Sequence, residues 1–175
     1  MRMGVLLTPG FLEAEAALAL EVARLLQWEG FTLARSRASL EGNAGAVWTP
    51  KYTLAARPGL ELLVIPGGSQ MRRLGREAEH RAWLEEVWEG LQAVWTGANG
   101  ALFLLEAGHL SGKAAAHPLA HEALRAAHLE PVAAPYHWQG KLCTTQGYLA
   151  LLQALLDWAN PAASIWTHLG LQPTR

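Results

Sequence analysis

Leu62-Leu63-Val64-Ile65 is an unbroken aliphatic run, and Pro66-Gly67-Gly68 ends it at once. A strand with one face in water alternates apolar with polar side chains, whereas a run without alternation carries hydrocarbon on both faces. Such a strand belongs inside a sheet covered on both sides. The signature recurs: residues 3–7 are apolar around Gly4 and stop at Thr8-Pro9-Gly10, and residues 93–96 stop at Gly97. Between these runs the apolar spacing becomes helical. Residues 13–28 carry a stripe through Ala17, Leu18, Leu20, Val22, Leu25 and Leu26 that ends before Gly30.

The other segments extend the pattern. Residues 31–34 read as a strand, 70–89 as a polar-faced helical region, 99–107 as a buried helix closed by Gly108, and 141–145 as a strand. A strongly apolar helix is expected over 147–158 and a last helical piece over 161–169. Weaker strands are expected at 113–116 and 132–134; the stretch 36–53 stays open, with 46–48 and 52–54 as candidate short strands. Strand–helix alternation over 175 residues predicts one α/β domain with a parallel sheet and helices on both faces. Ligands of such sheets bind beyond the carboxyl ends of the strands, which points to the turns at 8–11, 66–69 and 97–100.

Composition narrows the chemistry. With 14 basic and 15 acidic residues the net charge is -1, which fits neither a nucleic-acid groove nor a polybasic membrane patch. One cysteine excludes a disulfide framework and a cysteine-rich zinc site. Asp157 is the only aspartate, against fourteen glutamates, which argues against calcium loops, kinase-type magnesium sites and aspartyl dyads. The opening MRMGVLLTPG is too short an apolar run for a signal peptide or a membrane span, so a cytoplasmic protein is expected.

At VWTGANG, residues 94–100, a strand ends and a helix starts almost at once, the geometry of a nucleophile elbow. Here the chain resembles the ThiJ/PfpI superfamily, within the class I glutamine amidotransferase-like fold. FLEAE at 11–15 resembles the family's FEDVE-type motif, and LLVIPGG at 62–68 its third-strand signature. AGHLSGK at 107–113 resembles AGLLxGR, and HWQGKLCTTQG at 137–147 resembles the DGxxxTSxG hairpin before the family's final helix. The resemblance implies a three-layer, flavodoxin-like, doubly wound and mostly parallel sheet, in a single ThiJ/PfpI-like domain over residues 1–175, commonly a homodimer.

The elbow departs from the family. Its pattern is Cys-x-Gly, but the position ten residues before Gly108 is Ala98, in the triplet Ala98-Asn99-Gly100. A methyl group forms no thiolate, sulfenic acid or covalent adduct. The resemblance places Glu15 where the family's acidic residue touches the nucleophile, and Gly67 and Gly68, followed by Ser69, where backbone N–H groups form an anion hole. A helix starting at Asn99 would add its own amides and dipole. His117, in AAAHP, resembles the family's TTHP or TTHW, although it follows Gly108 by one residue fewer than in much of the family. Asn99 stands where protease-like members carry histidine, so that dyad is absent.

These residues support a pseudoenzyme with a vacant nucleophile position at Ala98, holding a small polar or anionic ligand through Gly67, Gly68, Ser69, Asn99, Gly100 and His117, with no metal and no cofactor. The alternative is a non-covalent hydratase, lyase or hydrolase-type enzyme with Glu15 as general acid/base, which requires a raised carboxyl pKa. Read plainly, Glu15 is a first-turn carboxylate on a helix dipole. Cys143 reads as a small buried hydrophobe. His117 and His121 are four apart, but Pro118 interrupts the helix a zinc pair would need. Arg72, Arg73, Arg76 and Arg81 read as a solvated face or, more sharply, an anion-steering patch. Trp28, Trp83, Trp88 and Trp158 read as core or interface anchors, and Trp95 as core or pocket wall.

Overall fold

In the computed structural model, which describes residues 1–172, the chain runs β1 (Arg2–Leu6), α1 (Glu13–Leu25), β2 (Glu29–Ala34), β3 (Leu40–Glu41), β4 (Val47–Trp48), β5 (Tyr52–Thr53), β6 (Leu62–Ile65), α2 (Met71–Arg76) and α3 (Ala78–Trp88). It continues through β7 (Ala93–Thr96), α4 (Ala101–Ala107), β8 (Lys113–Ala114), α5 (His121–Ala126), β9 (Glu130–Pro131), β10 (Tyr136–Gln139), β11 (Leu142–Thr145), α6 (Tyr148–Ala159) and α7 (Ala163–His168). Seven strands form the main sheet in the order β10-β11-β7-β6-β1-β2-β5. Every neighbouring pair is parallel except the β10–β11 hairpin.

The aliphatic runs are continuous because both sheet faces are covered. In β6, Leu63 and Ile65 join a core with Met71, Leu84, Phe103 and Leu124 from α2 to α5. Leu62 and Val64 join the opposite core with Ala19 and Val22 of α1 and Leu151 and Leu155 of α6. Each such side chain contributes roughly 1.5–3 kcal/mol on burial. Strand order reverses between β1 and β6, since β1 leads outward to β2 and β6 leads the other way to β7. The crevice at that switch point is the ligand side of such sheets.

Three expectations are corrected. The helical region 70–89 breaks at Glu77, whose ψ of 129° is extended. Just before the break, Gly75 lets α2 pack so closely on α4 that a Cβ there would sit 2.3 Å from the Phe103 carbonyl oxygen. The strand expected at 132–134 is displaced: β9 lies earlier and pairs parallel with β8, and β10 follows Pro135. The elbow helix begins at Ala101, not Asn99.

Candidate functional site

The three turns at the switch point are laced by their backbones. Leu12 N–H donates to the Gly67 carbonyl at 2.8 Å, Gly97 N–H to the Ile65 carbonyl at 3.0 Å, and Phe11 bridges Gly68. Ala98 follows with a φ of +37°, a left-handed conformation that L-residues adopt at a cost. The backbone packs too tightly for side chains on either side of it. A Cβ at Gly97 would fall 2.0 Å from Glu15 Oε2, and one at Gly100 would fall 2.6 Å from the Ile65 carbonyl oxygen. The sequence Gly97-Ala98-Asn99-Gly100 therefore presents residue 98 alone on a sharp bend.

Glu15 is 1 % exposed and lies against Gly97. Its Oε2 accepts a hydrogen bond from Gly67 N–H at 2.7 Å, and its buried Oε1 has no hydrogen-bond partner among the described residues. Burial pushes this carboxyl up to about 7, outweighing the lowering effect of the Gly67 bond. The first-turn dipole alone does not describe this residue.

The expected anion hole is closed from within. Gly67 N–H is committed to Glu15, and Gly68 N–H donates to Asn99 Oδ1 at 2.8 Å. Asn99 Nδ2 returns a bond to the Gly68 carbonyl, also at 2.8 Å. The side-chain amide thus pairs with a peptide unit and joins the second turn to the third. Ser69 is exposed, with its hydroxyl 3.5 Å from the Pro9 carbonyl oxygen.

Sequence spacing left His117 open, and the structure brings it to the elbow: its N–H donates to the Ala98 carbonyl at 3.1 Å. His117 Nδ1 accepts from Leu119 N–H at 3.3 Å, which puts the proton of the neutral ring on Nε2. A cleft of about 290 Å³ over this edge is lined by Leu12, Gly68, Ser69, Ala98, Asn99 and His117 among others. An adjoining hollow of about 350 Å³ shares Leu12, Ala98 and His117 and reaches Glu15, Gln146 and Tyr148.

Some contributors were not anticipated. Asn43 lines the cleft from the turn between β3 and β4. That turn is fastened by Glu13, whose carboxylate accepts from Ala44 N–H at 2.8 Å and Ala46 N–H at 3.2 Å. Burial works against ionisation of Glu13, but these backbone donors hold its carboxyl below the usual value. The Gly42-Asn43-Ala44-Gly45 turn was the available signal. Trp95 is not a pocket wall: it is fully buried, edge-on to Trp138 and Trp158. His117 and His121 are separated by a 3-10 turn at Pro118–Ala120, and the described residues hold no cluster of three or more metal-ligating side chains. Arg72 and Arg76 both pair with Glu106, which takes up two of the four arginines of the expected steering patch. No helix among the described residues is long and apolar enough to cross a membrane.

The DJ-1/PfpI family model matches residues 1–159. The chain belongs to the DJ-1/PfpI family. No curated protein matches it significantly in sequence. Among solved structures it is similar to a ThiJ/PfpI family protein from Pseudomonas syringae, with a TM-score of 0.85 at 21% identity, covering 99% of this chain and 76% of that one. A cysteine-to-alanine mutant of a DJ-1 superfamily protein from Salmonella typhimurium superposes with a TM-score of 0.84 at 24% identity, covering 98% of this chain and 99% of that one. Schizosaccharomyces pombe DJ-1 gives 0.84 at 13% identity, covering 98% of this chain and 100% of that one. At these identities the likeness establishes the DJ-1/PfpI fold.

Proposed function

We propose that this DJ-1/PfpI protein binds a small neutral polar ligand, without covalent chemistry, in the cleft over Ala98. The observation that carries the reading is Ala98 itself: a methyl group on a bend of φ +37°, where the family resemblance places a nucleophile. Two features favour a neutral ligand over the small anion also considered from the sequence. The Gly67 and Gly68 amides already have internal acceptors, and a free anion would face the carboxyl of Glu15. A ligand hydroxyl or carbonyl gives Glu15 Oε1 the partner it lacks, and the exposed His117 and Ser69 supply further polar contacts.

Replacing Ala98 by cysteine tests the assignment. The variant is expected to carry a thiol at the elbow that peroxide oxidises, read by intact mass, while Cys143 stays unmodified. A new thiol that titrates like a free cysteine and resists peroxide overturns the placement of Ala98.

A second reading has one specific observation in its favour. A carboxyl pushed up to about 7 is matched to general acid/base work near neutral pH. On this reading Glu15 moves a proton on a substrate held over Ala98, as in a hydratase or lyase. A screen of small aldehydes, amides and isocyanides separates the two: turnover abolished by Glu15→Gln favours the enzyme, and saturable binding without turnover favours the binding protein. Self-association belongs to the same proposal, since Leu119, Tyr148 and Leu149 are exposed large hydrophobics beside the cleft.

A further inference from the structure

Four of the eight tryptophans touch in series. Trp28 meets Trp158 at a centroid distance of 6.0 Å, Trp158 meets Trp95 at 5.3 Å, and Trp95 meets Trp138 at 5.7 Å. The ring planes cross at 80°, 88° and 77°, so the edge of each ring packs against the face of the next. Trp95 is fully buried, and the other three are half-buried around the core that α1 and α6 share. Core filling needs bulk at these positions, but not an unbroken line of indoles with both ends reaching solvent.

The line ends beside an acid–base pair. Tyr136 precedes Trp138 by two residues on β10, hence on the same face of the sheet, and donates its hydroxyl to Asp157 Oδ2 at 2.6 Å. Asp157 is the only aspartate of the chain and directly precedes Trp158 on α6. Its other oxygen accepts from Gln153 Nε2 at 2.8 Å. The bond to Asp157 pushes the Tyr136 phenol up to about 12, so the ring keeps its proton at neutral pH and releases it to the carboxylate only as it loses an electron. Trp95 has no such outlet. Its Nε1 is buried without a hydrogen-bond partner among the described residues, so an oxidised Trp95 keeps its proton and passes the electron vacancy on. Cys143 lies between Trp95 and Trp138 in the strand register, but burial pushes its thiol up. The Thr144 carbonyl, 4.0 Å from its sulfur, is a far weaker base than a carboxylate.

We propose that Trp28, Trp158, Trp95 and Trp138 conduct one-electron oxidation to Tyr136, which with Asp157 forms a radical sink. An inorganic radical oxidant takes one electron from a half-exposed indole and leaves as its reduced anion. The vacancy moves along the line until Tyr136 supplies the electron and its phenolic proton crosses to Asp157. The products are a neutral tyrosyl radical and a protonated carboxyl. One electron from a reductant of the ascorbate class returns that proton to Tyr136 and closes the cycle. No ligand over Ala98 is required. Pulse radiolysis of the full chain with the azidyl radical, which becomes azide as it oxidises indoles, tests the path. Tryptophan-radical absorption is expected to decay into tyrosyl absorption at a rate independent of protein concentration. Tyr136→Phe keeps the ring and is expected to lose most of the tyrosyl signal, although Tyr52 and Tyr148 remain. Asp157→Asn still accepts the hydroxyl but cannot take its proton, and is expected to slow the conversion about tenfold, the difference between a charged and a neutral acceptor. Trp158→Phe, its fold checked by circular dichroism, is expected to lower the tyrosyl yield per indole oxidised. The proposal is overturned if Tyr136→Phe or Trp158→Phe leaves the tyrosyl yield intact, if Asp157→Asn converts at the wild-type rate, or if the conversion is bimolecular.

Discussion

At Glu15 a carboxyl group with 1 % exposure has one backbone donor to support its charge, the N–H of Gly67. Carboxylates held low in proteins accept several such donors. Here desolvation wins, and the carboxyl rises from 4.5 to about 7. The folded chain then binds a proton that the unfolded chain has released, so stability falls as pH rises between these values. The contribution is fully present below about pH 4.5 and lost above about pH 7, and the shift amounts to about 3 kcal/mol. Glu15→Gln keeps an oxygen for Gly67 N–H and removes the titration. Chemical denaturation across this range is expected to show the wild type losing a few kcal/mol relative to the variant. Parallel pH dependences for the two proteins would mean that Glu15 ionises as it does in the unfolded chain. At the neighbouring position the backbone is strained at φ +37° and the side chain is only a methyl. The strain persists because the backbone on either side is packed tightly, Gly97 against Glu15 and Gly100 against the Ile65 carbonyl.

At the scale of the elements, the site depends on how turns are tied together. The two bonds between Asn99 and Gly68 join the loop after β6 to the elbow after β7. Asn99→Ala removes both and is expected to cost about 2 kcal/mol, from roughly 1 kcal/mol per bond. Asn99→Asp discriminates further. One of its oxygens still accepts from Gly68 N–H, but the other opposes the Gly68 carbonyl. Its melting temperature is expected to recover on acidification as the carboxyl gains a proton to donate, whereas that of Asn99→Ala does not. The sequence made the elements legible wherever packing repeats a period, as in the aliphatic run of β6 and the helical spacing of α1, although the buried face of α1 runs through Ala16, Ala19, Val22 and Ala23 and leaves Ala17 exposed. It was silent where one contact redirects the chain. α2 packs on α4 through Gly75 and the continuous helical pattern breaks at Glu77, while β9 ends at Pro131 and β10 begins after Pro135. In the site, the resemblance singled out Glu15, Ala98 and His117, which line one hollow. That Asn99 occupies the Gly68 amide, and that Glu13 fastens the turn carrying Asn43, depends on side-chain directions that no spacing encodes.

For the molecule as a whole, the two-sided core makes Cys143 a reporter of global opening. It is fully buried on β11, shares a cluster with Trp95 and Leu155, and is the single cysteine of the chain. Burial pushes its thiol well above the ordinary value, so the thiolate that reacts with disulfide reagents is suppressed while the fold is intact. Ellman-type labelling in native buffer is expected to be slow and to accelerate with denaturant along the full slope of equilibrium unfolding. Leu155→Ala removes packing from the same cluster, at a cost of about 2–5 kcal/mol, and is expected to speed native labelling by roughly 30-fold or more. The alternative route is local. β11 is covered on one side only by the edge strand β10, so fraying of that hairpin would expose the sulfur without global unfolding. Fast labelling that barely responds to denaturant or to Leu155→Ala would identify this route, and would mean that the β10–β11 hairpin opens independently of the core on which α1 and α6 pack.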